Sequence, residues 1–165
     1  MKFIFILSVC LLTCLHIFAQ TEADNLPIGV EEITLARDDG RGKPGEAATG
    51  FITTDVPIHC LVQLSSTKAV TVKMNFVAVS VLGVKPGKTV VSVSYKTDGK
   101  QDGVTFNGSP DGVWTAGKYR IDILLDGAAA KSLEFDIQKS PKDVAKEKLI
   151  LTKPKLKIKQ RLRKG

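Results

Sequence analysis

The stretch from Trp114 to Ile137 holds two runs in which apolar side chains recur at every second residue. Tyr119, Ile121, Ile123 and Leu125 alternate with Arg120, Asp122 and Leu124, and Leu133, Phe135 and Ile137 alternate with Glu134 and Asp136. A period of two marks strands with one buried face, and two such runs in succession spell a β-hairpin. Parity constrains the link between them. Asp126-Gly127 has the composition of a two-residue type I′ turn, but such a turn would pair Ile121 with Ser132 and Ile123 with Ala130. The apolar set of the second strand would then face away from the core, because a slip of one residue flips every side chain. A loop of three or five residues, or a bulge, restores the match. With five, Ile121 faces Phe135, Ile123 faces Leu133 and Arg120 lies opposite Asp136. The longer loop is the expectation.

The same period recurs upstream. Ile33 and Leu35 alternate with Thr34 in a weak first strand, and Arg37–Gly50 is rich in glycine and charge and reads as a loop. Ile58, Cys60, Val62 and Leu64 form one face of a second strand; Val70, Val72, Met74 and Phe76 form the next, with Thr71, Lys73 and Asn75 on its other side. At Phe76-Val77 the phase slips to Val77, Val79 and Val81, the mark of a bulge or a change of sheet. Val91, Val93 and Tyr95 supply another strand and Val104 with Phe106 a short one, separated by the turns Gly83–Lys88, Thr97–Gly103 and Asn107–Gly112. No helical period appears before residue 140. About seven short strands with regularly spaced turns predict an all-β, antiparallel sandwich over residues 24–139, about 115 residues and enough for one core.

This pattern resembles the immunoglobulin-like and fibronectin type III-like sandwich modules of secreted proteins over residues 27–138. The resemblance makes Tyr119 the tyrosine corner, two residues before Ile121, which stands where an antibody domain has its second cysteine. It sets Cys60 at the place of the first cysteine and Phe76 at that of the buried tryptophan. Trp114 stands elsewhere and is expected to cover one end of the core. The disulfide partner of Cys60 is absent. A resemblance of this kind implies fold and leaves function to the site.

The ends of the chain differ from its middle. Met1–Ala19 carries Lys2, an apolar run from Phe3 to Phe18 and then Ala19-Gln20, and resembles a secretory signal peptide cleaved after Ala19. The run is shorter than the roughly 20 residues a membrane span needs. A lipoprotein reading through Cys14 is disfavoured by Thr13, where a small residue is required. The expected location is therefore secreted, periplasmic or cell-surface. Cys10 and Cys14 leave with the peptide, so Cys60 has no internal disulfide partner and reads as a small buried hydrophobe. His59 is next to it, yet neighbouring strand residues point to opposite faces, so the two do not meet.

Charge is concentrated at the other end. Residues 21–139 hold 13 Lys and Arg against 15 Asp and Glu, whereas residues 140–165 hold ten against Asp143 and Glu147. Ser140-Pro141-Lys142-Asp143 has the composition of a helix start, with Ser as cap, and the helix is expected to run to about Leu151 before Pro154. Beyond it, Lys153, Lys155, Lys157, Lys159, Arg161, Arg163 and Lys164 alternate with Leu156, Ile158 and Leu162. This basic tail, partly helical or disordered, suits an electrostatic tether to an anionic surface or polymer. It has no aromatic residue for base stacking, which argues against sequence-specific nucleic acid.

Catalytic chemistry finds few candidates. A serine triad needs a histidine base, and outside the leader His59 is the one available. Asp122 with Glu134 or Asp136 forms a carboxylate pair, but on a solvated sheet face beside Arg120 and Lys131, where neither acid is set up for a raised pKa. Gly83–Thr89 has one residue too few between its glycines for a phosphate loop and no helix after it. Asp98–Gly103 puts Lys100 at a calcium-ligand position. Asn107-Gly108-Ser109 matches a glycosylation acceptor. No cofactor and no metal site is expected. Three functions remain in view: a non-enzymatic binding or adhesion module contacting a protein or glycan, a structural or accessory subunit of an envelope or secreted assembly, and an enzyme whose site leaves no sequence trace.

Overall fold

The computed structural model describes residues 27–152. Among the described residues nine strands form two sheets: β1 (Val30–Asp38), β2 (Pro44–Ala47), β3 (Gly50–Ile52), β4 (Ile58–Leu64), β5 (Thr71–Val81), β6 (Thr89–Lys96), β7 (Gly103–Gly108), β8 (Gly117–Leu125) and β9 (Ala128–Gln138). They are followed by helix α1 (Pro141–Thr152). One sheet has the order β2-β1-β4-β7 and the other β3-β9-β8-β5-β6. The core lies between them, built from the apolar sets of the alternating strands: Ile58, Cys60, Val62 and Leu64 on one side, Val72, Met74, Phe76, Ile121, Ile123, Phe135 and Ile137 on the other.

The hairpin corrects the sequence reading. Its loop is the tight two-residue turn, with positive φ at both Asp126 (46°) and Gly127 (88°), as type I′ requires. The parity conflict is resolved inside the second strand. Leu125 pairs with Ala128 and Leu124 with Ala129, but Ile123 pairs with Lys131, so Ala130 is a bulge. Ile121 therefore faces Leu133 and Tyr119 faces Phe135, while Arg120 lies opposite Glu134 rather than Asp136. The turn is secured from outside, since Asp126 donates its N–H to Thr71 O at 2.8 Å and accepts Thr71 N–H on Oδ1 at 2.9 Å.

Two strands more than expected lie in the stretch read as a loop and directly after it. β2 folds back on β1, pairing Ala47 with Ala36. β3 then crosses to the other sheet and pairs parallel with β9, Phe51 beside Ile137. The phase slip after Phe76 is a bulge, not a change of sheet: β5 stays one strand, and its registers with β6 and β8 shift at Phe76/Val77 and at Ala78/Ser80. β7 runs through Gly108, so the turn after it starts later than predicted. Gly108 has a packing reason. A Cβ there would lie 2.4 Å from Phe76 ring carbons, so only glycine lets the ring pass across the sandwich.

Candidate functional site

The residues singled out from the sequence fall into three groups. Lys153, Lys155, Lys157, Lys159, Arg161, Arg163 and Lys164 lie outside the described residues. Cys60 is fully buried in the core, and burial pushes its thiol pKa up to about 12, which leaves it inert as a nucleophile at neutral pH. Trp114 and Tyr119 come together. Their rings pack edge to face at 5.6 Å, Trp114 lies against Phe76 at 5.2 Å, and Tyr119 stacks on Phe135 at 5.8 Å.

Tyr119 stands near the start of β8 and its hydroxyl donates to Thr115 O at 2.8 Å, bonding the strand back to the chain that leads into it. That is the geometry of a tyrosine corner. β3 pairs with the last strand, β9, and β4 carries Cys60 in the opposite sheet from Ile121 on β8. The fold is an immunoglobulin-like sandwich. Phe76, on β5, is buried in the core, and Trp114 reaches it from the segment before β8.

Comparison with known proteins finds two partial structural similarities. No family model and no curated protein matches the chain. An immunoglobulin-like protein from Pseudomonas aeruginosa is similar in structure, with a TM-score of 0.47 and 12% identity, over 68% of this chain and 98% of that one. The Pseudomonas fluorescens alkylpurine DNA glycosylase, solved bound to DNA containing an abasic site analog, has a TM-score of 0.43 and 14% identity, over 67% of this chain and 30% of its own.

The end of the sandwich around Trp114 is its most distinctive surface. Thr53, at the end of β3, gathers three segments there. Its carbonyl accepts Trp114 N–H at 3.1 Å, its hydroxyl accepts Ser140 N–H at 3.1 Å, and the same hydroxyl donates to Asp143 Oδ2 at 2.9 Å. The start of α1 is thus fastened to the sandwich. Ser140 is its cap as predicted: its Oγ donates to Asp143 Oδ2 at 2.7 Å and accepts Asp143 N–H at 3.2 Å. The Ser140 and Thr53 hydroxyls hold the Asp143 carboxyl below the usual carboxylate range. Two shallow concavities flank Trp114. One, of about 320 Å³, is bordered by Leu82, Ala116 and the Lys139–Glu147 ion pair; the other, of about 240 Å³, by Val84, Pro110 and Val113. At their rims Leu82 is 90% exposed and Val113 65%. The indole Nε1 of Trp114 is buried without a hydrogen-bond partner among the described residues. Leu82 and Val113 escaped the sequence reading, although each is an apolar residue inside a turn-rich stretch, where no strand face asks for one.

His59, Asp38, Asp122 and Asp98 are each engaged in hydrogen bonds. His59 is fully buried on the outer face of its sheet, its Nδ1 2.8 Å from Asn107 Oδ1 and its Nε2 2.9 Å from Asp38 Oδ2. It points away from Cys60, which pairs inward with Leu35 and Phe106. Asp38 Oδ1 also accepts the N–H of Gly40 at 2.6 Å, and the bond to His59 holds the carboxyl below its ordinary range. Asp122 takes both its oxygens to Arg120, at 2.6 and 2.9 Å, and Ser132 donates to it at 2.7 Å. Arg120 thereby holds Asp122 ionised, which is the opposite of what a general acid needs. The Asp98 carboxylate turns back onto Lys100 N–H at 3.1 Å.

Proposed function

We propose that this chain is a non-enzymatic extracytoplasmic binding module. Its sandwich contacts a protein or glycan at the Trp114 end, and its cationic tail tethers it to an anionic surface. The observation that carries this reading is the pair of exposed side chains, Leu82 and Val113, set on either side of a buried aromatic floor. Exposed apolar groups beside aromatic-lined hollows have the make-up of contact surfaces. The tail supports the second half of the reading. α1 starts at the same end, fastened through Thr53, and the basic residues follow it in the sequence.

Two variants test the halves separately. A chain ending at Thr152 keeps the helix cap and removes Lys153 to Lys164; retention on anionic phospholipid vesicles or a sulfated polymer should be lost, and salt should release the full chain. Equal passage of both chains through the column ends the tether. A Leu82→Asp, Val113→Asp chain is expected to melt like wild type, because both side chains are exposed, and to lose binding on a printed panel of glycans. Binding that survives both changes removes the Trp114 end from the reading.

A second reading, a structural or accessory subunit of a secreted or envelope assembly, draws support from β6, the last strand of its sheet. An open strand edge accepts another strand by backbone pairing.

A further inference from the structure

Four strands end the two sheets of the described residues, and two of them, β3 and β2, are guarded. β3 is three residues long, and Arg37 donates to its Gly50 carbonyl at 2.6 Å. β2 is four residues long and starts at Pro44. β7 ends in Gly103 and Gly108, and its Asn107 carboxamide is held by His59. β6 has eight residues, Thr-Val-Val-Ser-Val-Ser-Tyr-Lys, with no proline and no charge before Lys96. Charge, proline, brevity and bulges are the devices that keep edge strands from pairing. The bulge of β6 falls at Val90, since Phe76 pairs with Val91 but Val77 with Thr89, and the stretch from Val91 to Lys96 is regular.

The direction of its free groups follows from the ladder. Thr97 donates its N–H to Val70 O at 2.9 Å, so Thr97 faces β5. In an antiparallel ladder alternate residues share a direction. Tyr95, Val93 and Val91 therefore bond towards β5, and Ser92, Ser94 and Lys96 aim their N–H and C=O groups at the open edge. The side chains of Val91, Val93 and Tyr95 lie on the core side, opposite Phe76, Met74 and Val72, and Tyr95 remains 45% exposed.

We infer that two copies of this chain pair through β6, antiparallel about a two-fold axis at Val93, joining their five-stranded sheets edge to edge. The pattern of β6 is self-complementary in that register: Val93 meets Val93, each Val91 meets the other copy's Tyr95, and each Ser92 exchanges backbone bonds with a Ser94. The apolar side chains stay on the core side of the joined sheet and cover the exposed face of Tyr95. Lys96, the one charge of the strand, lands opposite Val90 and not opposite another lysine, so no like charges oppose the pairing. The inference does not depend on the Trp114 end or on the tail.

The test is the mass of the processed chain by light scattering and sedimentation, from micromolar to submillimolar concentration. Wild type is expected at twice the chain mass at the upper end. Ser94→Pro removes a donor that faces the open edge and no bond to β5, so it should halve that mass while the domain still melts cooperatively. Val93→Cys offers an independent readout. At a pair that does not exchange backbone bonds the Cα atoms lie about 4.5 Å apart, within reach of a disulfide. Val93→Cys should cross-link under mild oxidation, and Ser92→Cys, which faces Ser94, should not. A wild type that stays at one chain mass throughout, a dimer that survives Ser94→Pro, or a Val93→Cys chain that does not cross-link overturns the inference.

Discussion

The two edges of the five-stranded sheet are built in opposite ways. At one, β3 is only three residues long, yet Phe51 in it is buried and packs edge to face on Phe135 at 5.7 Å. Arg37 from the other sheet closes that edge: it bonds Gly50 O, pairs with Asp55 at 3.3 Å and lies over the Phe51 ring at 5.6 Å. Asp55 in turn accepts Ile52 N–H at 2.9 Å. At the other edge β6 is eight residues long, carries no charge before Lys96 and has no further strand beside it among the described residues. The difference follows from the path of the chain. The chain crosses from one sheet to the other at β3, so side chains of both sheets meet there. After β6 the chain turns away at Thr97 towards β7, and no described strand pairs with that edge. An edge is closed where the backbone itself has to pass.

This contrast can be broken by substitution. The largest effect is expected at the closed edge, where Phe51→Ala should cost about 3–5 kcal/mol of folding stability, measured by denaturant unfolding; a loss under about 1 kcal/mol would mean that β3 is an ornament on a core complete without it. Arg37→Ala should cost about 1 kcal/mol, since its guanidinium is partly exposed and its ion pair is screened while the carbonyl of Gly50 loses a charged donor. If Arg37→Ala equals Phe51→Ala, the clamp and not the ring closes the edge.

A smaller effect concerns the outer edge beside β2. The Asp38 carboxyl, held by His59 and by two backbone amides, titrates below its ordinary value of 3.8. A depressed carboxylate adds stability that is fully present above the unfolded value and is lost as pH falls through the folded one. Thermal melts of wild type should therefore fall on the acid side of pH 4 more steeply than those of Asp38→Asn, and parallel acid limbs would remove Asp38 from the account. The smallest effect is expected at the open edge. Tyr95→Thr should change the stability of the isolated domain by less than about 0.5 kcal/mol, as for an ordinary surface position; a larger loss measured in dilute protein would show that β6 is packed as firmly as β3.

Legibility in the sequence followed the range of the interactions. The alternation in β4, β5, β8 and β9 is local, and those strands lie where their period put them. The helix start at Ser140 is also local, because a cap is read from residues three apart. The hairpin shows where local reasoning stops. Its residues state that a two-residue turn conflicts with the apolar pattern, and both the turn and the pattern are real; the bulge at Ala130 reconciles them, and its position is set by pairing with Ile123 and Leu124. The Arg37–Gly50 stretch has no period at all. The strand within it and the one that starts at its end exist because residues outside it supply their partners, Ala36 for Ala47 and Ile137 for Phe51.

The candidate site was less legible than the fold. Trp114 and Tyr119 stood out by residue type, and each lies where the core ends. Leu82 and Val113 acquire meaning only when the turn after β5 and the segment before β8 are brought to the same end of the sandwich. His59 looked like an isolated strand histidine, and its partners Asp38 and Asn107 are 21 and 48 residues away in the chain.

By itself, then, the sequence determined the class of this protein: alternating strands that must bury one face against another sheet, one capped helix and a basic end. Side-chain period and capping chemistry act over two to four residues, so they survive without a structure. Only the tertiary structure decided which edge is closed and which is open, where the bulges fall, and which exposed apolar residues share a surface with Trp114. Those outcomes depend on contacts between segments tens of residues apart, and no local pattern encodes the path that brings them together.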